Sequence, residues 1–269
     1  MIELLSYQFF QNAIIGGCLI GIICSWIGLF LVLRRQVMIV DGAAHTAFGG
    51  LALGLLLGID PFITALIIVI ISILIINKMK AFTDSAIALM LAIGFSIGLI
   101  IISITRGFSI DIFSYLFGSI LTISREELLI ISIVTIFIAI FLLLFHKELI
   151  AITFNERNAR IMGIPVDLIS NIFNLIIAIT IILSIKIVGV ILIVALITIP
   201  ALTALQIKTS FNNTVIISVL IGVIGVILGI FISALYKLAT SGVIVFILVS
   251  IYAIVYLYSK IEIIKRRTS

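Results

Sequence analysis

Long apolar runs alternate with short polar breaks along almost the whole chain. Runs at 12–33, 43–57, 61–76, 85–104, 128–145, 168–185, 187–206, 214–236 and 242–258 are each long enough, or nearly so, to cross a hydrocarbon layer of about 30 Å as an α-helix. Lipid offers no partners for backbone N–H and C=O groups, so a spanning segment must satisfy them within a helix or a closed barrel. Unbroken runs of this length select the helix. Two of the nine runs are short, and a further stretch, 108–121, is apolar but broken. The pattern therefore predicts an all-α polytopic membrane protein: one transmembrane domain over 1–269, a bundle of eight to ten transmembrane helices.

Composition agrees: 64% of the 269 residues are hydrophobic and 10% charged, with a mean hydropathy of +1.52. Such a chain cannot cover a water-soluble surface. The excess of cations forms no shared patch, which excludes a nucleic-acid face, and marks the ends of the apolar runs instead. Cytoplasmic loops retain Lys and Arg. With the loop around Phe154 inside, Arg34, Arg35, Lys78, Lys80, Lys147, Arg157, Arg160, Lys208, Lys260, Lys265, Arg266 and Arg267 fall on the cytoplasmic side. Arg106, Arg125, Lys186 and Lys237 fall outside, a ratio of twelve to four that predicts a cytoplasmic C-terminus. Cys18 and Cys24 sit about 240° apart around a helix and read as packing residues. The first residues lack a basic n-region, so the first run is expected to remain as a span.

Few residues carry chemistry. Asp41 and His45, spaced i, i+4, stack on one face of the second predicted helix, where an oxygen and a nitrogen can share a transition-metal ion. The plainer reading makes Asp41 the helix N-cap and His45 an interfacial anchor. Gly42, Ala43, Ala44, Ala47, Gly49 and Gly50 crowd the same segment and predict close helix packing. Glu126 and Glu127 read as charges at a helix start or as groups that receive metal from a binding protein, and Pro200 as a kink inside a span. The one long hydrophilic stretch, 146–167, predicts a short amphipathic helix with Phe154, Ile161, Met162 and Ile164 on its apolar side. There is no room for a soluble catalytic domain, and no G-x-x-x-x-G-K-[ST] phosphate loop occurs.

Several motifs carry a resemblance. Phe10-Gln-Asn-Ala, Phe30-Leu-Val-Leu-Arg-Arg35 and Asp41-x-x-x-His45 are followed by Tyr115-Leu-Phe-Gly-Ser-Ile-Leu121 with Ser124 and Glu127. Then come Phe154-x-Glu156-x-x-Ala159-x-x-x-Gly163, Lys186-x-Val-Gly189, and Pro200-Ala-x-x-Ala204. In this order they resemble permeases of the zinc/manganese/iron family of ATP-binding-cassette importers. Asn155 stands where that family's loop carries an acidic residue. The resemblance implies a permease that works as a pair in a bacterial or archaeal cytoplasmic membrane. It implies a cytoplasmic ATP-binding subunit docked on Phe154, Glu156, Ala159, Gly163 and Ile164, and an extracellular or periplasmic metal-binding protein above. It further implies Asp41 and His45 as ligands of the transported ion, zinc or manganese before iron, with no resident cofactor and no enzymatic site. The Asp41-to-Gly50 segment is slightly closer to the zinc members. An ion- or proton-coupled secondary transporter is the second reading, but it requires broken helices in paired halves, and none are evident. An intramembrane enzyme would need a nucleophile beside Asp41 and His45, and none accompanies them.

Overall fold

The computed structural model describes residues 6–79, 83–104, 118 and 123–268, and every regular element among them is an α-helix. In chain order these are α1 (Gln8–Leu33), α2 (Val37–Leu57), α3 (Pro61–Lys78), α4 (Thr83–Ile104), α5 (Arg125–Leu144), α6 (His146–Phe154), α7 (Glu156–Ile161), α8 (Val166–Val188), α9 (Val190–Gln206), α10 (Phe211–Tyr236) and α11 (Thr240–Thr268). Eight of them are long and apolar enough to cross a membrane. The shorter α9 corresponds to the ninth apolar run. The Tyr115-to-Leu121 motif, Gly118 apart, Lys80, Arg106, and the side chains of Lys186, Lys265, Arg266 and Arg267 lie outside the described residues.

Local chemistry sets the boundaries. Gly58, at φ +67°, caps α2 in the left-handed conformation. Three residues on, Pro61 opens α3 while the Asp60 carboxylate accepts the N–H groups of Phe62 and Ile63 at 2.9 and 3.0 Å. At α5, Ser124 Oγ accepts the Glu127 N–H at 3.2 Å and Glu127 Oε2 accepts the Ser124 N–H at 3.0 Å, a reciprocal capping box. Glu127 thus belongs to a helix start, as its position suggested. Gly189, at φ +85°, separates α8 from α9. The second helix begins at Val37, ahead of the run that marks it in the sequence.

On α3 burial runs opposite to that of a soluble protein's surface helix. Along α3 the large side chains Ile63, Ile67, Ile71 and Leu74 point outward, while Ala65, Val69, Ser72 and Ile73 face the bundle. A stripe of exposed isoleucine suits lipid and not water. Inside, α2 packs against α3 and α4, α1 packs against α5, α9 and α10, and α11 lies on α9 and α10. The short α9 sits among α1, α2, α8, α10 and α11, with Ile193, Leu196, Ile197, Ala201 and Ala204 buried. Pro200 stands inside it. Polar side chains in the core pair between elements: Asn12 Nδ2 donates to the Ile123 carbonyl just ahead of α5 at 3.1 Å, Ser218 Oγ donates to the Ser25 carbonyl at 3.0 Å, and Cys24 Sγ lies 3.3 Å from Ser184 Oγ.

Contacts also sort the two ends of the bundle. The ends of α1 and α3, the segment α6–α7 and the start of α8 enclose one polar cavity, and His146 Nε2 lies 2.9 Å from Asn212 Oδ1 at the start of α10. Arg34, Lys78, Lys147, Arg157, Arg160 and Lys208 cluster at this end. Asp60, Glu127 and Leu183 meet at the opposite end, where Arg125 and Lys237 sit.

Helices α2 and α4 meet backbone to backbone. A Cβ on Gly49 would lie 2.5 Å from the Gly94 carbonyl oxygen, and one on Gly94 would lie 2.5 Å from the Thr46 Cα. Both obstacles are backbone, so neither can give way. Gly49→Val is therefore expected to destabilise the bundle by about 1–3 kcal/mol, the usual scale of overpacking. Gly242→Ala, where nothing lies within 4 Å, should be neutral. Thermal unfolding of the detergent-solubilised chain, followed by size-exclusion fluorescence, compares the two; equal melting temperatures would refute the assignment.

Candidate metal site and the 146–167 segment

Asp41 is the fifth residue of α2, and the N-cap is Gln36, which makes no side-chain cap. The capping reading of Asp41 therefore fails, because the first-turn N–H groups lie behind it. Apolar Val37 to Val40 extend the helix toward the N-terminus, and the carboxylate emerges from its second turn. Four residues on, His45 stacks above it, with Nε2 at 3.6 Å from Asp41 Oδ1. The imidazole meets the Phe95 ring edge-on, with centroids 5.6 Å apart and planes at 89°. Its Nδ1 is buried without a hydrogen-bond partner.

Packing isolates this pair. Gly42 rests on Ile87 and Gly49 on Gly94, so α4 covers the adjoining face. Gly50 and Gly54 rest on Ala65 and Pro61, so α3 covers the far side. Asp41 and His45 keep 30% and 24% of their side-chain surface. They open sideways from the bundle, beside exposed Met38. An ionisable pair on a lateral face of a membrane bundle is costly unless water, a metal or another protein surface meets it. Among the described residues no group of three or more His, Cys, Asp or Glu forms a metal cage; Asp41 and His45 stand as a pair.

The polar segment folds as two helices in place of one. Asn155 takes an extended conformation between α6 and α7, and its Oδ1 accepts the Asn158 N–H at 3.0 Å. Side-chain capping is the physical role of the residue at this position. Leu149, Ile152 and Ala159 anchor the segment in the core, and Ile164 packs against it. Phe154, Ile161 and Met162 remain 69%, 77% and 74% exposed. Gly163, at φ +80°, ends the second helix. Arg160 then clamps the turn: Nη1 and Nη2 donate to the two Asp167 oxygens at 2.6 Å each, and Nη2 also reaches Glu156 Oε1 at 3.0 Å. The Asp167 hydrogen bonds, and then that of Glu156, push the Arg160 pKa up.

Sequence reasoning missed the roles of two residues here and the cavity between them. Asp167 carried no role, because the Gly163-to-Pro165 turn removes any helical spacing from Arg160. Arg34 was read as a topology cation and as part of the Phe30-to-Arg35 motif, yet its Nε donates to Thr153 Oγ1 at 3.0 Å and its guanidinium lies 4.8 Å from the centre of the Phe173 ring. Between these elements lies a polar cavity of about 340 Å³, lined by Arg34, Asn77, Thr153, Glu156, Asp167 and Asn174 among others. Its walls come from four stretches far apart in the chain, so no local signal foretells it.

The comparisons bear on this arrangement as a whole. The sequence model of the ABC 3 transport family matches residues 6–259. The manganese transport system membrane protein MntC of Halalkalibacterium halodurans is 30% identical over 261 residues, which cover 96% of this chain and 89% of that protein. The manganese import system permease protein ScaB of Streptococcus gordonii is 29% identical over 244 residues, 89% of this chain and 87% of that one. Among solved structures, a chain of PsaBC from Streptococcus pneumoniae in complex with Fab superposes with a TM-score of 0.87 at 29% identity, over 97% of this chain and 100% of that chain. With its helices, their order and nearly its whole length accounted for, the chain belongs to the ABC 3 transport family.

Proposed function

We propose that this chain is the membrane-spanning permease subunit of an ATP-driven importer of a divalent transition metal, and that it works as a pair. One observation carries the metal: a carboxylate and an imidazole 3.6 Å apart on a lateral face that lipid alone would not tolerate. Two donors on one ion, with bonds of about 2.1 Å at a near-tetrahedral angle, stand about 3.4 Å apart. The pair is therefore already spaced as ligands. Its sideways opening fits a second copy facing it, which brings Asp41 and His45 twice and makes a set of two oxygens and two nitrogens. Such a mixed set accepts manganese, zinc and ferrous iron. The names of the relatives favour manganese as the first metal to test, ahead of the zinc suggested by the glycine-rich segment.

In this reading the metal is cargo. Asp41 contributes charge and His45 a neutral nitrogen, so each must release a proton or stay unprotonated to bind. The chain has no phosphate loop, so nucleotide hydrolysis belongs to a separate ATP-binding subunit. That subunit meets the exposed Phe154, Ile161 and Met162 at the cation-rich end, with Glu156, Ala159, Gly163 and Ile164 shaping the same segment. Retention of cations on the cytoplasmic side supports placing this end, and the C-terminus, inside. A metal-loaded binding protein then delivers at the Asp60 end. A secondary transporter gains no support from any particular residue.

Two measurements test the reading. Asp41→Ala and His45→Ala should each abolish uptake of radioactive manganese in a strain lacking the native gene, with membrane insertion and capture of the ATP-binding subunit unchanged; undiminished uptake would remove both residues from the pathway. Met162→Asp, on the exposed apolar patch, should weaken capture of the ATP-binding subunit by roughly thirtyfold, the effect of about 2 kcal/mol at an interface hot spot. Equal affinity of the wild-type and Met162→Asp permeases would move the docking surface elsewhere.

A further inference from the structure

Two arginines end α1, and they behave differently. Arg35 is exposed, at φ +56°, as a cation that only marks a membrane side would be. Arg34 turns inward. Its Nε donates to Thr153 Oγ1 on α6 at 3.0 Å, and its guanidinium lies over Phe173 on α8. Thr153 Oγ1 donates its own proton to the Leu149 carbonyl at 2.7 Å, which leaves its lone pairs for Arg34. Burial draws the Arg34 pKa down to about 10, against the opposing pull of Glu156 at the start of α7. The guanidinium nevertheless stays charged at neutral pH. Nη2 is buried with no hydrogen-bond partner, beside the polar cavity whose wall Glu156 shares. A topology signal requires none of these contacts.

What Arg34 is joined to gives them meaning. The turn after it is short and tied back, with Arg35 N–H bonded to the Val32 carbonyl at 3.1 Å and Gln36 N–H to the Leu31 carbonyl at 2.9 Å. Helix α2 starts at Val37, and Asp41 follows one turn later. Helices pass displacement along their axes as near-rigid bodies, so movement imposed on this turn reaches both metal-site residues. On the other side, α6 and α7 border a polar cavity of about 340 Å³, while Leu149, Ile152 and Ala159 seat them in the core, so displacement of the segment is passed to the elements packed on it.

We propose that Arg34 is a positioning residue that links the α6–α7 segment to the start of α2, carrying displacement of that segment to Asp41 and His45. This inference rests on the transport reading above. Arg34 touches no metal; it acts through Thr153 and the turn.

The test uses the permease reconstituted in liposomes with its ATP-binding subunit and its metal-binding protein, with Mn²⁺ uptake and ATP hydrolysis measured together. Arg34→Gln and Thr153→Val should assemble normally and hydrolyse ATP within about twofold of wild type, yet import about tenfold less Mn²⁺ per ATP, a typical coupling between sites. Thr153→Ser retains the hydroxyl and should retain the wild-type ratio. A wild-type ratio in assembled Arg34→Gln or Thr153→Val overturns the proposal. Should Arg34→Gln fail to assemble, the comparison of Thr153→Val with Thr153→Ser decides alone, and equal ratios overturn it. A wild-type complex that hydrolyses ATP but imports no divalent metal would sink the transport reading itself, and this inference with it; loss of coupling confined to the variants leaves that reading intact.

Discussion

Contact between backbones at Gly49 and Gly94 decides where the ionisable side chains of α2 can go. At 100° per residue, Gly42 and Gly49 lie about 90° around the helix from Asp41, and Gly50 and Gly54 lie about 200° from it. The first pair lets α4 press against α2, and the second pair lets α3 do the same. Buried Val40, Ala47 and Leu51 occupy the sector that remains toward the core. At the start of α2 one strip is left open and carries Asp41 and His45; further along the same line Phe48 and Ala52 are buried. Small residues thus orient the site without touching it. In lipid, where apolar surface gains little by leaving its solvent, such close fitting is a main source of helix association.

That dependence explains what was legible in the sequence and what was not. Among the described residues the apolar runs marked eight long helices and the shorter α9, because a span in lipid has few alternatives. Their ends were less visible. Hydropathy stops at Asp41, yet α2 runs back to Val37 because backbone hydrogen bonding continues past a charge that has somewhere to go. The i, i+4 spacing of Asp41 and His45 was plain from sequence, and the small residues beside it hinted at a packed interior. Their opening to one side was not legible, since it depends on which partners the glycines receive.

The 146–167 segment divides along the same line. Its amphipathic character was visible, and Phe154, Ile161 and Met162 stand exposed. The break at Asn155 was not foreseen, although the residue type suits it: an Asn side chain caps a new helix as readily as it interrupts an old one. The clamp of Arg160 on Asp167 crosses a turn and has no periodicity to betray it. Contacts between distant stretches, such as Arg34 with Thr153, are separated by 119 positions and are supplied by the fold alone.

The two ends of the assembly of helices consequently obey different physics. Around α2 and α4, geometry is set by contact between atoms that cannot be compressed, which favours a small number of discrete arrangements over gradual deformation. At the Arg34 end, geometry is set by hydrogen bonds and charges around a polar cavity, where partners can be exchanged at modest cost because water can replace them. In the proposed transport reading, a chain that holds an ion in either of two states and yet responds to a partner needs both kinds of region in series. Arg34 is where they meet: its guanidinium belongs to the polar end, and the turn it occupies is the first rigid link to the glycine-packed helix.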